Sequence, residues 1–320
     1  MDIKVKGRDR GREATHPGEI PKRGWKDILL RTKEQIGEDN LSIVAAGVAF
    51  YAFLALFPGI AALVSILGLV TNPAEVEGYV ESAQGVLPPD ALALVRDQVH
   101  AIASAPSQAL GLGLAISVGA ALWTATAGVK ALMEALNIVY EEREARGFLR
   151  YYATAILLTI GAVVFGVLAL ALVAAVPVAL EWLALPPVLE VVLGLARWLI
   201  LGGAFVLALA VLYRFAPSRE RPQWRWVSWG AAAATLLWLA GSGLFSLYVA
   251  NFGDYNKTYG ALAAIVILLT WFYLTAFAVL LGAELNAEME HQTRVDSTVG
   301  EPKPMGDRGA RMADSLGGAR

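Results

Sequence analysis

Residues 41–70 read LSIVAAGVAFYAFLALFPGIAALVSILGLV, a run without a single charged side chain. A helix that crosses a bilayer needs about 20 apolar residues, so this run is long enough to span once and continue. Some forty charge-rich residues precede it, whereas a secretory signal places its apolar core within the first few residues and ends in a cleavage site. Working outward, further spans are expected at 110–140, 152–182, 188–213, 226–252 and 258–285. The composition agrees: of 320 residues, 57% are hydrophobic and 17% charged. Such a chain needs lipid to cover its apolar excess. The expected fold class is therefore all-α, a polytopic integral membrane protein with six transmembrane helices.

Charge by position sets the orientation. The tail to residue 40, the loops 141–151 and 214–225 and the C-terminal tail together hold 22 of the 26 Lys and Arg residues. The alternate loops hold Arg96 and Lys257, and Lys130 and Arg197 fall inside spans. Basic residues favour the cytoplasmic side, which places both termini there. Residues 1–24 read as a flexible basic tail, 25–291 as the membrane domain and 292–320 as a disordered cytoplasmic tail, rich in Gly, Pro and charge without apolar period. Trp25, Ile28, Leu29, Thr32 and Ile36 recur at helical spacing, which suits either a helix in the inner headgroup layer or a cap on the bundle. Residues 72–108 are too long for a simple turn and carry two apolar stripes, which predicts an outer hairpin of short helices.

Several side chains stand out. Arg197 lies near the middle of the fourth span, where an ionised group is costly and usually meets a partner, a cavity or a route to the interface. Glu190, two turns earlier, and Glu181, at the end of span three, are its candidate partners; an anionic head group is another. Lys130 and Glu134 share a helix face, and Asn137, Glu284 and Asn286 lie at a similar depth with Asp39 and Asn40. If those ends meet, they form a polar vestibule; if not, they are ordinary headgroup-level residues. Pro58 and Gly59 interrupt the first apolar run, where proline removes a backbone donor and predicts a helix break, either a kink or a re-entrant turn.

Other chemistry is poorly represented. There is no cysteine, which excludes thiolate metal sites and thiol nucleophiles. The three histidines, His16, His100 and His291, fall outside the apolar runs. No metalloprotease, nucleophile-elbow or phosphate-loop pattern occurs. The expectation is a non-enzyme with no cofactor, no metal and no nucleic-acid partner, in contact with membrane lipids and anionic ones in particular. The small-residue faces permit self-association into a homo-oligomer. Trp224-Arg225-Trp226 reads as an interfacial anchor.

Five blocks occur in order: Ala49-Phe50-Tyr51 with Phe57-Pro58, Ala135-Leu136-Asn137 with Tyr140, Tyr213-Arg214-Phe215-Ala216-Pro217, Tyr259-Gly260, and Gly282-Ala283-Glu284-Leu285-Asn286-Ala287. Over about residues 25–290 their order and spacing resemble the YihY/BrkB family of bacterial inner-membrane proteins. The resemblance implies six helices with both ends cytoplasmic. Members of that family have carried two labels, virulence or serum-resistance factor and tRNA-processing ribonuclease. The leading expectation is a transport or lipid-handling protein of the bacterial cytoplasmic membrane, with Arg197 and Lys130, Glu134 and Glu284 on the path. The alternatives are a non-transporting membrane scaffold or virulence-associated factor and, more distantly, a membrane-bound tRNA-processing ribonuclease.

Overall fold

The computed structural model describes residues 10–70, 112–182, 187–251 and 261–320. The expected outer hairpin 72–108, Tyr259 and Gly260 lie outside the described residues, as do the side chains of Phe57, Pro58, Gly59, Glu181 and Glu190. Among the described residues the chain is helical, and its one β-bridge joins Pro222 to Thr298. A short helix, α1 (Lys22–Glu38), leads into six long ones: α2 (Leu41–Val70), α3 (Leu112–Val139), α4 (Phe148–Trp182), α5 (Pro187–Phe215), α6 (Trp224–Asn251) and α7 (Ala261–Glu290). One turn, α8 (Arg311–Asp314), sits near the C-terminus.

The six long helices contain 28 to 35 residues each, enough at 1.5 Å per residue to cross the hydrocarbon core. Among the described residues four stretches meet length and composition for crossing: Phe148–Val173, Val192–Phe215, Trp224–Val249 and Ile265–Glu290. Lys22–Glu38 with Leu41–Leu56 adds a fifth as a pair bent by 65°. Each long helix packs on the next in chain order and α7 closes against α2, giving a ring. Outward-facing residues such as Leu157, Leu168, Leu199, Leu236 and Leu244 are exposed and apolar, as a lipid-facing surface requires. This is a multi-pass membrane protein.

Two expectations are corrected. The helix does not end at Pro58: α2 continues from Leu41 to Val70, which overturns the re-entrant turn among the two readings of that proline. Proline costs one backbone bond and a local clash, which a long apolar helix packed on neighbours tolerates. The sharp turn comes earlier, at Asp39-Asn40, where Asn40 adopts a left-handed φ of 50° that asparagine accepts more readily than most residues. The second correction concerns the tails. Residues 292–320 are folded: Gln292, Thr293, Ser297, Thr298, Met312 and Ala313 are buried. Their order comes from arginine and backbone bonds rather than from apolar periodicity. Arg12 donates to the carbonyls of Gln292 and Gly317, Thr293 donates to the Ala14 carbonyl at 2.7 Å, and Arg308 donates to Ala313 and Arg294 carbonyls, each at 2.6 Å. Residues 10–20, expected as part of a flexible tail, are thereby held against the C-terminal segment.

Of the two readings of α1, the cap fits the contacts. Ile28 is fully buried with Ala14, Ile20, Trp226 and Met289, and Arg31 bonds Glu288, Gln292 and the Gly318 carbonyl. Trp226 is buried in this cap, so within the Trp-Arg-Trp trio Trp224 and Arg225 keep an exposure that suits an interface.

The crossing of α6 on α7 is a close one. A Cβ at Gly282 would lie 2.6 Å from the Gly230 carbonyl oxygen, and one at Gly230 would collide with the Gly282 carbonyl and the Asn286 side chain. Asn286, fully buried, accepts the Gly230 N–H at 2.8 Å and donates to the Val227 carbonyl at 3.3 Å. Small residues let the backbones meet, and the amide then fixes the register. We expect Gly282→Ala to cost about 1–3 kcal/mol through overpacking, read as a lower thermal midpoint in detergent. Gly203→Ala, with open space at its Cβ position, should leave the midpoint unchanged; equal effects at both positions would refute the crossing.

Candidate functional site

Three polar assemblies occupy the end of the bundle that carries α1 and the C-terminal segment. The first is a lock between loops. Asn137, in the last turn of α3, accepts the Ser218 N–H at 2.7 Å and donates to Glu144. Arg146 grips Glu144 through two nitrogens and donates to the Phe215 and Ala216 carbonyls. Burial pushes the Glu144 carboxyl up, but the Arg146 and Asn137 bonds outweigh it and hold the group at about 2. The 213–217 block is thus tied to Asn137, and two of the sequence blocks meet in space.

The second assembly is a buried ion pair. Arg219 and Glu290 have side chains fully buried and 2.6 Å apart. Glu290 also accepts from the Ser297 hydroxyl, and the Arg219 guanidinium lies 4.8 Å over the Tyr140 ring. Removing one partner of such a pair leaves an uncompensated buried charge and costs about 3–5 kcal/mol. Arg219→Met should therefore lower the thermal midpoint sharply and open residues 291–320 to protease, while the double change Arg219→Met with Glu290→Leu recovers most of the loss. No recovery in the double variant would show that the pair is not the tie.

The third assembly is acidic. Glu284 is fully buried, and neither carboxylate oxygen has a protein partner among the described residues. The charges that act on it are carboxylates, Asp39, Glu288 and Glu141. Asp39, at the α1–α2 bend, has one buried oxygen without a partner. Burial, then Glu141, Glu38 and Glu288, raise its pKa to about 6. A carboxyl raised in the folded state binds more protons there than in the unfolded chain. Its contribution is therefore favourable below its ordinary value near 4 and is lost as pH rises to about 6. Asp39→Asn should flatten the fall in thermal stability between those pH values and stabilise the protein at neutral pH; an unchanged profile would contradict this.

The expected vestibule residues separate into different surroundings. Lys130 lies 4.8 Å over the Tyr152 ring and Glu134 accepts from the Tyr151 hydroxyl, both on the side of α3 that meets α4. Asn137 belongs to the loop lock, Asn286 to the α6–α7 crossing and Glu284 to the acidic group. Arg197 sits in the seam between α4 and α5. It donates a long bond to the Val173 carbonyl at 3.4 Å, lies 5.2 Å from the Trp198 ring, and its buried Nε has no partner among the described residues. Tyr51 is exposed on α2.

Sequence reading missed one feature. At the foot of the same seam a cleft of about 750 Å³ is lined by Arg146, Arg150, Arg214, Arg219 and Arg221, with Leu157, Leu158 and Val211 beside them. The arginines were visible as loop charge, but their convergence depends on the α3–α4 and α5–α6 loops being locked together. Arg214 stacks on Trp224 at 4.5 Å and donates to the Pro222 carbonyl, so this member of the 213–217 block builds the cleft wall. Among the described residues no group of three or more His, Cys, Asp or Glu side chains is placed to hold a metal ion.

Residues 32–306 match the family described as virulence factor BrkB. The chain is 30% identical over 260 residues to a Bacillus subtilis (strain 168) protein named as ribonuclease-like, YfkH, covering 78% of this chain and 90% of that one. It is 29% identical over 273 residues to a UPF0761 membrane protein of Delftia acidovorans, covering 82% of this chain and 62% of the relative. A UPF0761 membrane protein of Idiomarina loihiensis is 37% identical over 97 residues, 30% of this chain and 32% of its own. No solved structure matches.

Proposed function

The chain belongs to the virulence factor BrkB family of membrane proteins, and from that premise we propose that it is a non-enzymatic, six-span protein of the bacterial cytoplasmic membrane, with both ends cytoplasmic, that moves an anionic envelope lipid along the α4–α5 seam. The observation that carries the reading is Arg197: a half-buried guanidinium in the seam, with a backbone carbonyl and an aromatic ring for company and no carboxylate partner among the described residues. A cation at bilayer depth persists where it is paired, hydrated or visited by an anion. Arginine suits a phosphate because its fork matches the phosphate oxygens. Position supports the route. Arg197 stands 17 residues before Arg214 on α5, roughly 25 Å along the helix axis, so the seam carries arginine both at mid-depth and at the headgroup level. The ribonuclease-like name belongs to YfkH.

The test is translocation of a fluorescent anionic phospholipid in proteoliposomes. Wild type should move it, and Arg197→Met should slow movement about tenfold or more, the scale of a lost hydrogen bond to a charged group. A folded wild-type protein that moves no lipid would overturn the reading, and equal rates in both proteins would remove Arg197 from the route.

A further inference from the structure

We propose that the arginine-lined cleft between the foot of α4 and the end of α5 binds the phosphate of an anionic phospholipid, with the acyl chains lying along Leu157, Leu158 and Val211. This deepens the lipid-handling reading above by giving it an entry site. Four observations converge. The cleft is of the right size, about 750 Å³. Its charge is not used up within the protein: Arg146 and Arg219 are paired with Glu144 and Glu290, but among the described residues Arg150, Arg214 and Arg221 have no ion-pair partner, and Glu220 is the one acid on the wall.

Donors are also left over in protected positions. The Arg219 side chain is fully buried, yet its Nη1 has no partner among the described residues, and neither has the buried Nε of Arg214. An unsatisfied buried charged donor is costly, and a small shift of either side chain would bring it to an acceptor in the adjoining cleft. Finally, the α4 helix opens at Phe148, directly after the lining residues Ala145, Arg146 and Gly147, so its free N–H groups and positive dipole end add to the same anion preference.

The apolar wall decides between sources of phosphate. A soluble phosphate gains nothing from Leu157, which is 69% exposed on the outside of α4, whereas a lipid brings its own acyl chains to that surface. Arg214 and Arg221 are already ordered by rings, Arg214 over Trp224 at 4.5 Å and Arg221 over Phe215 at 5.0 Å, which leaves less freedom to lose when the headgroup enters.

The experiment uses the full chain in nanodiscs of zwitterionic phosphatidylcholine titrated with phosphatidylglycerol, with bound lipid counted by native mass spectrometry after release. Wild type should retain phosphatidylglycerol over phosphatidylcholine. Arg150→Gln and Arg221→Gln, both exposed side chains, should each weaken retention about fivefold, the scale of one basic residue at an anionic surface, with no change in thermal midpoint. Arg225→Gln, outside the cleft and bonded to Gln223, should change nothing. No preference in wild type, or an equal loss with Arg225→Gln, overturns the site; full displacement by inorganic phosphate overturns the lipid assignment. Retention without translocation would keep the cleft and remove the transport reading, while translocation unaffected by the cleft variants would do the reverse.

Discussion

The buried pair of Arg219 and Glu290 is the tie on which the polar end of this protein depends. Its two residues come from the α5–α6 loop and the last turn of α7, and it draws in Tyr140 from the end of α3 and Ser297 from the C-terminal segment. Three parts of the chain that are remote in sequence, with Ser297 close behind Glu290, thus share one desolvated charge pair. Such a pair adds little net stability over apolar residues of the same size, but its geometry is demanding, since an ill-placed partner leaves a bare charge in a dry site. It therefore selects one arrangement of the loops. The same arrangement brings Arg146 to the Phe215 and Ala216 carbonyls and Asn137 to the Ser218 N–H.

Deeper in the bundle the determinant changes from charge to size. Lipid tails are as apolar as leucine, so burial alone does not drive one helix onto another. What holds α6 on α7 is the absence of side chains at Gly230 and Gly282, together with the Asn286 amide that bonds the α6 backbone across the gap, while the Tyr213 hydroxyl of α5 donates to the Val279 carbonyl of α7 at 2.7 Å and ties α5 to the same helix. The two regimes meet within two turns of α7: Gly282 and Asn286 serve the crossing, Glu288 and Glu290 serve the cap, and Glu284 lies between them.

The membrane class was legible because it depends on long apolar runs, which hydropathy reports directly, and the multi-pass helical architecture follows from them. Pro58 signals a lost backbone bond without saying whether neighbours tolerate it; of the kink and the re-entrant turn it offered, the continuous α2 leaves no re-entrant turn. The tail from residue 292 misled for the opposite reason. Its order rests on guanidinium-to-carbonyl bonds from Arg12, Arg31 and Arg308, and such bonds leave no periodic trace in a sequence. Arg197 was visible at once as a charge at depth, whereas Arg150, Arg214, Arg219 and Arg221 were legible only as loop charge. Counting them gave an expected orientation, but their convergence needed the folded loops.

The distribution of basic charge along the α4–α5 seam bears on what such a surface can do. At the headgroup level, where water competes, one arginine holds a phosphate weakly and several side by side are needed. At mid-depth, where water is scarce, a single guanidinium interacts far more strongly, but the phosphate must first shed its hydration. A site that captures with many weak charges, followed by one strong charge at depth, follows that gradient: it lowers the barrier without creating a trap at either end. The reverse order, a deep cluster and a lone surface arginine, would hold an anionic headgroup too tightly to release it. The arrangement of Arg150, Arg214 and Arg221 at the foot of the seam, with Arg197 further along it, has the order that the proposed passage would require.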